Sequence, residues 1–135
     1  MIHGLVLTHG AVGAELLRVV TMILGPEPSL SAASNAGLSI NDLTALVATE
    51  VKTASTENSL GTLVFIDDVA GSCATAARLA SVAAGPMRIV SGVNLAMLLD
   101  FTTWRESLDL DDLARRLVEK GRSAIGVVPL GDEES

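Results

Sequence analysis

The sequence predicts an α/β domain: a doubly wound, mainly parallel sheet with helices on both faces. Three observations carry that expectation. Short aliphatic runs alternate with helical patterns along the chain, the order that builds parallel strands joined by right-handed crossover helices. The runs are continuous rather than alternating, as strands covered on both faces require. The apolar stock is aliphatic: of 135 residues 49% are hydrophobic but only 2% aromatic, with no Tyr, two Phe and one Trp. Mean hydropathy is +0.49, enough to fill one proper core.

Residues 2–8 are a short apolar run bounded by Gly10 and read as a buried strand. Residues 11–24 set Leu16, Leu17, Val20, Ile23 and Leu24 at helical spacing and stop at Gly25-Pro26. A Ser-rich loop follows, within which "SLSAAS", residues 29–34, is a weak edge strand. Residues 39–56 start on a serine cap and carry Leu43, Leu46, Val47 and Val51 on one helical face. "LGTLVFI", residues 60–66, is the clearest strand and ends at Asp67-Asp68. After Gly71 the Ala-rich "SCATAARLASVAA" reads as a helix packed closely on a sheet. "MRIVSG", residues 87–92, is a strand introduced by Gly85-Pro86, and residues 94–104 are helical with Leu95, Leu98 and Leu99 apolar. Residues 108–125 form an amphipathic helix. Its first turn holds Asp109, Asp111 and Asp112 and its last holds Lys120 and Arg122, which suits the helix dipole. "IGVVPL", residues 125–130, reads as a final strand that Pro129 confines to an edge, antiparallel to the rest. With no repeat and no linker, the expectation is a single domain over residues 1–130 and a polar tail, "GDEES", over 131–135.

Charge narrows the function. The net charge is −7, from 9 basic and 16 acidic residues, which argues against a nucleic-acid partner because phosphate backbones select basic faces. One cysteine excludes an internal disulfide and suits a reducing cytosol. "GLVL" is too short for a signal peptide and lacks a basic leader, and no uncharged stretch is long enough to span a bilayer. The expected location is cytoplasmic.

Polar residues cluster where the predicted strands end, the place at which open α/β sheets hold ligands. Thr8-His9-Gly10 follows the first strand, Asp67-Asp68 with Gly71-Ser72 the third, and Ser91-Gly92-Val93-Asn94 the fourth. In a flavodoxin-like strand order, His9 and Asp67 face each other across one crevice. A carboxylate that accepts one ring N–H fixes the tautomer and leaves the other imidazole nitrogen with an outward lone pair. Gly71-Ser72 opens a helix, and its N–H groups with a serine hydroxyl make an oxyanion site. A neutral imidazole, an orienting carboxylate and an anion cradle together point to phosphoryl transfer through phosphohistidine. Each feature alone has a plainer reading. His9 also reads as a packing residue, Gly71-Ser72 as a mere helix start, and Asp67-Asp68 as solvated charge or half a metal site. No second His or Cys stands at ligand spacing, so no metal is expected. His3 reads as a surface residue at a strand start, Cys73 as a small apolar filler, and Trp104 as an anchor at a helix end. Asp109, Asp111 and Asp112 read as a solvated helix start rather than a calcium loop.

Several stretches, in this order, resemble the mannose-family enzyme IIA domain of the bacterial phosphoenolpyruvate:sugar phosphotransferase system. They are "GLVLTHG" with the helix ending "MILG", "LVFIDDVAGS", "VSGVNLAMLL" and "EKGRSAI". The resemblance implies that His9 is phosphorylated by the phosphocarrier HPr and passes the group to an enzyme IIB during sugar transport. It implies that Asp67 orients His9, that Ser72 stands beside the phosphoryl group with Gly10 and Gly71, and that Thr8, Asp68, Val69 and Asn94 form the rim. It also implies a homodimer with an exchanged edge strand, for which residues 127–130 are the candidate, no cofactor, and a membrane reached only through a permease complex. The family usually has an aromatic residue at Val69, glycine at Ala70, and proline at Cys73 and Ala96. Losing the aromatic removes part of an apolar docking rim, and Ala70 has less backbone freedom than glycine beside the phosphate. No enzyme IIB is fused within these residues, which leaves two alternatives open. One is a regulatory phosphorelay or binding module without sugar transport; the other is the phosphoryl-donor subunit of a dihydroxyacetone kinase. A histidine phosphatase would need an adjacent Arg and a second catalytic His, and only His3 remains. A small α/β domain without chemistry is the plainest alternative.

Overall fold

The computed structural model describes residues 1–56 and 58–132. Its elements run β1 (Ile2–Thr8), α1 (Val12–Leu24), β2 (Leu30–Ser34), α2 (Ile40–Ala54), β3 (Gly61–Ile66), α3 (Ser72–Ala80), β4 (Met87–Val90), α4 (Leu95–Trp104) and α5 (Leu110–Ser123). The strands form one sheet in the order β2-β1-β3-β4, and every neighbouring pair is parallel. From β1 the chain goes first to one side and then to the other. The strand order therefore switches between β1 and β3, the position beyond whose carboxyl ends open α/β sheets hold ligands.

Side-chain alternation along the strands divides the interior into two cores. Leu5, Leu7, Val64, Ile66 and Met87 face Leu43, Val47 and Val51 of α2 and Cys73, Ala74, Ala76, Ala77 and Ala80 of α3. The alanines of α3 let that short helix lie close to the sheet, as its composition predicts. Ile2, Val6, Leu63, Phe65 and Val90 point the other way, against Val20 of α1, Met97, Leu98 and Phe101 of α4, and Leu113 and Leu117 of α5. Phe65 and Phe101 meet edge to face, ring centroids 5.6 Å apart at 88°. Such a pair adds ~0.5–1.5 kcal/mol beyond its buried area.

Capping residues set three helix starts. Ser39 Oγ accepts from Asp42 N at 3.1 Å, Asn94 Oδ1 from Met97 N at 3.0 Å and Asp109 Oδ1 from Asp112 N at 2.8 Å. The aspartate cap moves the start of α5 two residues past the expected Leu108. The weak edge strand predicted over residues 29–34 is β2, and it does lie at the sheet's edge. Trp104 closes α4 as an anchor, with the Arg116 guanidinium 4.1 Å from its ring centroid. Among the described residues no helix is long and apolar enough to cross a membrane.

Two expectations change. Residues 125–130 form no strand: Val127 is 98% and Val128 81% exposed. A strand needs a partner edge, and among the described residues 125–129 pair with no strand; Pro129 further removes one donor. His3 is not a surface residue but half-buried within β1, paired in register with Thr62. Burial, the Arg105 guanidinium and the N-terminal ammonium all push its pKa below the usual 6.5. Of the predicted polar tail, residues 133–135 lie outside the described residues.

Candidate functional site

His9 is carried just past the last residue of β1 and Asp67 just past the last residue of β3, so the parallel β1–β3 register delivers them to the same end of the sheet. Asp67 Oδ2 accepts from the His9 backbone N–H at 3.0 Å and meets His9 Nδ1 at 2.9 Å. Its other oxygen accepts from Asp68 N at 3.1 Å. Burial by itself would raise the Asp67 pKa, but the hydrogen bonds from the His9 amide and ring outweigh it and hold the carboxyl below its usual 3.8. At neutral pH Asp67 is therefore an acceptor only. In the neutral imidazole that places the proton on Nδ1 and leaves Nε2 with its lone pair directed away from the carboxylate.

Nε2 faces the start of α3. Gly71, the N-cap of that helix, has φ 98°, a backbone conformation that side chains disfavour. A Cβ built there would stand 3.4 Å from both Nε2 and Cε1 of His9. Glycine thus keeps the space before the unprotonated nitrogen open. The first intrahelical bond at this end joins Thr75 N to Gly71 O, so the amides of Ser72 and Cys73 precede the ladder at the positive end of the helix dipole. His9 itself stands at the surface, its side chain 51% exposed.

Other rim residues have structural tasks. Thr8 is buried, and its Oγ1 accepts from Gly13 N at 2.7 Å, so it holds the first turn of α1. Gly10, at φ 57°, turns the chain from β1 towards α1. Its N–H points to Asn35 Oδ1 at 3.4 Å. Asp68 is exposed; its Oδ1 accepts from Ala70 N at 3.5 Å, within its own loop. Val69 is 60% exposed at the rim. Asn94 is occupied between helices: beside its capping bond it donates Nδ2–H to Gly121 O at 3.1 Å. It lines a separate cavity with Ser91, Gly92 and Arg122. The structure therefore brings His9, Asp67, Gly71 and Ser72 together and gives Thr8 and Asn94 to the scaffold.

Asn35 joins this cluster from a third strand end. It follows β2, its backbone N–H donates to Thr8 O at 3.2 Å, and its Nδ2 donates to Ser72 Oγ at 3.0 Å. The signal was available, since β2 too has a polar residue at its carboxyl end.

One donor atom each of His9, Asp67 and Cys73 lie within 4.8 Å of one another, a set of the types that hold zinc. The Cys73 thiol is fully buried. Burial and the Asp67 charge push its pKa up against the opposing Ser72 hydroxyl, so the thiol keeps its proton. Both Asp67 oxygens already accept N–H groups. The trio is thus arranged around a hydrogen-bonded imidazole rather than as three ready ligands.

The family model EIIA-man, described as PTS system fructose IIA component, matches residues 4–118, a span that contains every residue of the cluster. The fold is similar to that of the phosphotransferase system component EIIA from Streptococcus agalactiae: 23% identity, TM-score 0.83, covering 94% of this chain and 97% of that one. The mannose/sorbose specific IIA subunit of the phosphotransferase system from Enterococcus faecalis is 25% identical, with TM-score 0.81 over 98% of both chains. The PTS IIA protein associated with the fucose utilization operon from Streptococcus pneumoniae is 18% identical, with TM-score 0.79 over 93% of this chain and 92% of that one. No curated protein matches the chain.

Proposed function

The chain belongs to the EIIA-man family of phosphotransferase-system IIA components, and on that premise we propose that it carries a phosphoryl group on His9, taken from phospho-HPr and handed to an enzyme IIB in the cytoplasm. The observation that carries this reading is the His9–Asp67 pair, 2.9 Å apart, with Nε2 held over the glycine that opens α3.

The chemistry follows from that pair. The lone pair on Nε2 attacks phosphorus, and the bond from phosphorus to the donor's nitrogen breaks with its electrons returning to the donor. His9 then carries phosphorus on Nε2 and a proton on Nδ1, a cationic ring whose charge the Asp67 carboxylate offsets. The Ser72 hydroxyl and the leading amides of α3 accommodate the phosphoryl oxygens. Asp68, turned into its own loop, does not present a second negative charge to the incoming group. Transfer onward is the reverse: the N–P bond breaks and its electron pair returns to Nε2.

Incubation with phosphoenolpyruvate, enzyme I and HPr, followed by intact-mass measurement, tests the assignment. The expected result is one acid-labile phosphoryl group on the wild-type chain and none on His9→Ala. Label on His9→Ala would sink it. We propose that the domain, residues 1–130, works as a homodimer, each chain lending residues 127–130 to its partner's sheet. The exposure of Val127 and Val128, apolar and unpaired with any strand, supports that reading.

A further inference from the structure

We infer that Asn35 is the positioning residue that aims the Ser72 hydroxyl at the phosphoryl group on His9. This rests on the reading of His9 as phosphoryl acceptor and extends it to a residue on a third strand end. Asn35 is anchored by its backbone N–H to Thr8 O, the residue before His9. Its side chain then spans two loops: Oδ1 takes the Gly10 N–H at 3.4 Å, and Nδ2 gives a hydrogen to Ser72 Oγ at 3.0 Å. The first bond fixes which end of the amide faces which loop, because a backbone N–H accepts nothing. Ser72 Oγ therefore receives a donor, and its own proton must go elsewhere. In the resting chain the nearby Cys73 sulfur is a weak acceptor. A phosphoryl oxygen, charged and stronger, takes that proton once His9 is loaded. Asn35 thus turns a rotating hydroxyl into a donor of fixed direction without touching phosphate.

Phosphoramidate supplies the test, since it phosphorylates imidazole without a protein donor: the Nε2–P bond forms, the bond from phosphorus to ammonia nitrogen breaks, and ammonia leaves. Initial rates of label uptake on His9 are compared for the wild type, Asn35→Ala, Ser72→Ala and the double variant, with thermal unfolding to confirm that each is folded. Asn35→Ala is expected to slow uptake about tenfold in the wild type and less than about twofold in the Ser72→Ala background. Equal losses in both backgrounds, or no loss in the wild type, overturn the inference. Asn35→Asp keeps the size and the acceptor for Gly10 but offers Ser72 no donor; uptake at the wild-type rate would also overturn it. A chain that phosphoramidate labels and phospho-HPr does not, with the Asn35–Ser72 coupling present, overturns the donor assignment and supports the role of Asn35. Failure of phosphoramidate to label His9 at all overturns both.

Discussion

At the scale of single residues, Asp67 and Asp68 differ by what they accept rather than by what they are. Asp67 is filled by N–H donors on both oxygens, two of the three from His9; Asp68 receives a single long bond within its loop. Asp67→Asn presents an NH2 group that can reverse the hydrogen bond and shift the ring proton to Nε2, where it blocks attack. We expect that variant to take up phosphate at least about a hundredfold more slowly, and Asp68→Asn within about twofold of the wild type. Equal losses in phosphorylation rate would refute the division of labour. His9, Asp67 and Ser72 were legible in the sequence because each follows a strong strand or opens an obvious helix. Asn35 gave a fainter signal, because it follows a short Ser/Ala run and only the pairing of β2 with β1 brings it beside Ser72.

Among elements, β1 and α4 are tied by a junction that no local pattern announces. Arg105, buried at the end of α4, donates Nε–H to Ile2 O at 2.9 Å and its carbonyl accepts from Ile2 N at 3.2 Å. The same guanidinium disfavours a charged His3. Its lowered pKa makes a definite prediction about acid. Below 6.5 the unfolded chain takes up the His3 proton before the folded chain does, so stability falls as pH drops from about 6.5 towards the lower folded value. His3→Gln should flatten that part of the urea-midpoint profile between about pH 7.5 and about 5.5, one pH unit either side of the ordinary histidine value. An unchanged slope would exclude His3 as its source. The start of α2 was readable here, since Ser39 caps it as its residue type predicts, whereas Asp109 caps α5 two residues later than expected. The surroundings of His3 were not, because its neighbour lies about a hundred residues along the chain.

For the whole molecule, the succession of strands and helices and the helices' apolar faces sufficed to read the fold, and the misread element is the C-terminal segment, which forms no strand. Residues 125–130 have strand-like composition but are not part of the sheet among the described residues. If a second copy supplies the edge, light scattering should show a dimer at micromolar concentration for the full chain. A Val127→Asp/Val128→Asp variant should be monomeric while still accepting phosphate from phosphoramidate. A monomeric wild type would remove strand exchange from the picture.

The open position of His9 also sets a clock. Half of its side chain meets solvent. On the proposed reading the phosphoryl group rides in view of bulk water. Its lifetime is then governed by how well one carboxylate, one hydroxyl and one helix end steady the N–P bond. A carrier of this shape delivers its charge only while encounter with an acceptor outruns hydrolysis. The fraction loaded at any moment would therefore report the balance between supply and demand, which makes such a surface as suited to sensing flux as to conducting it.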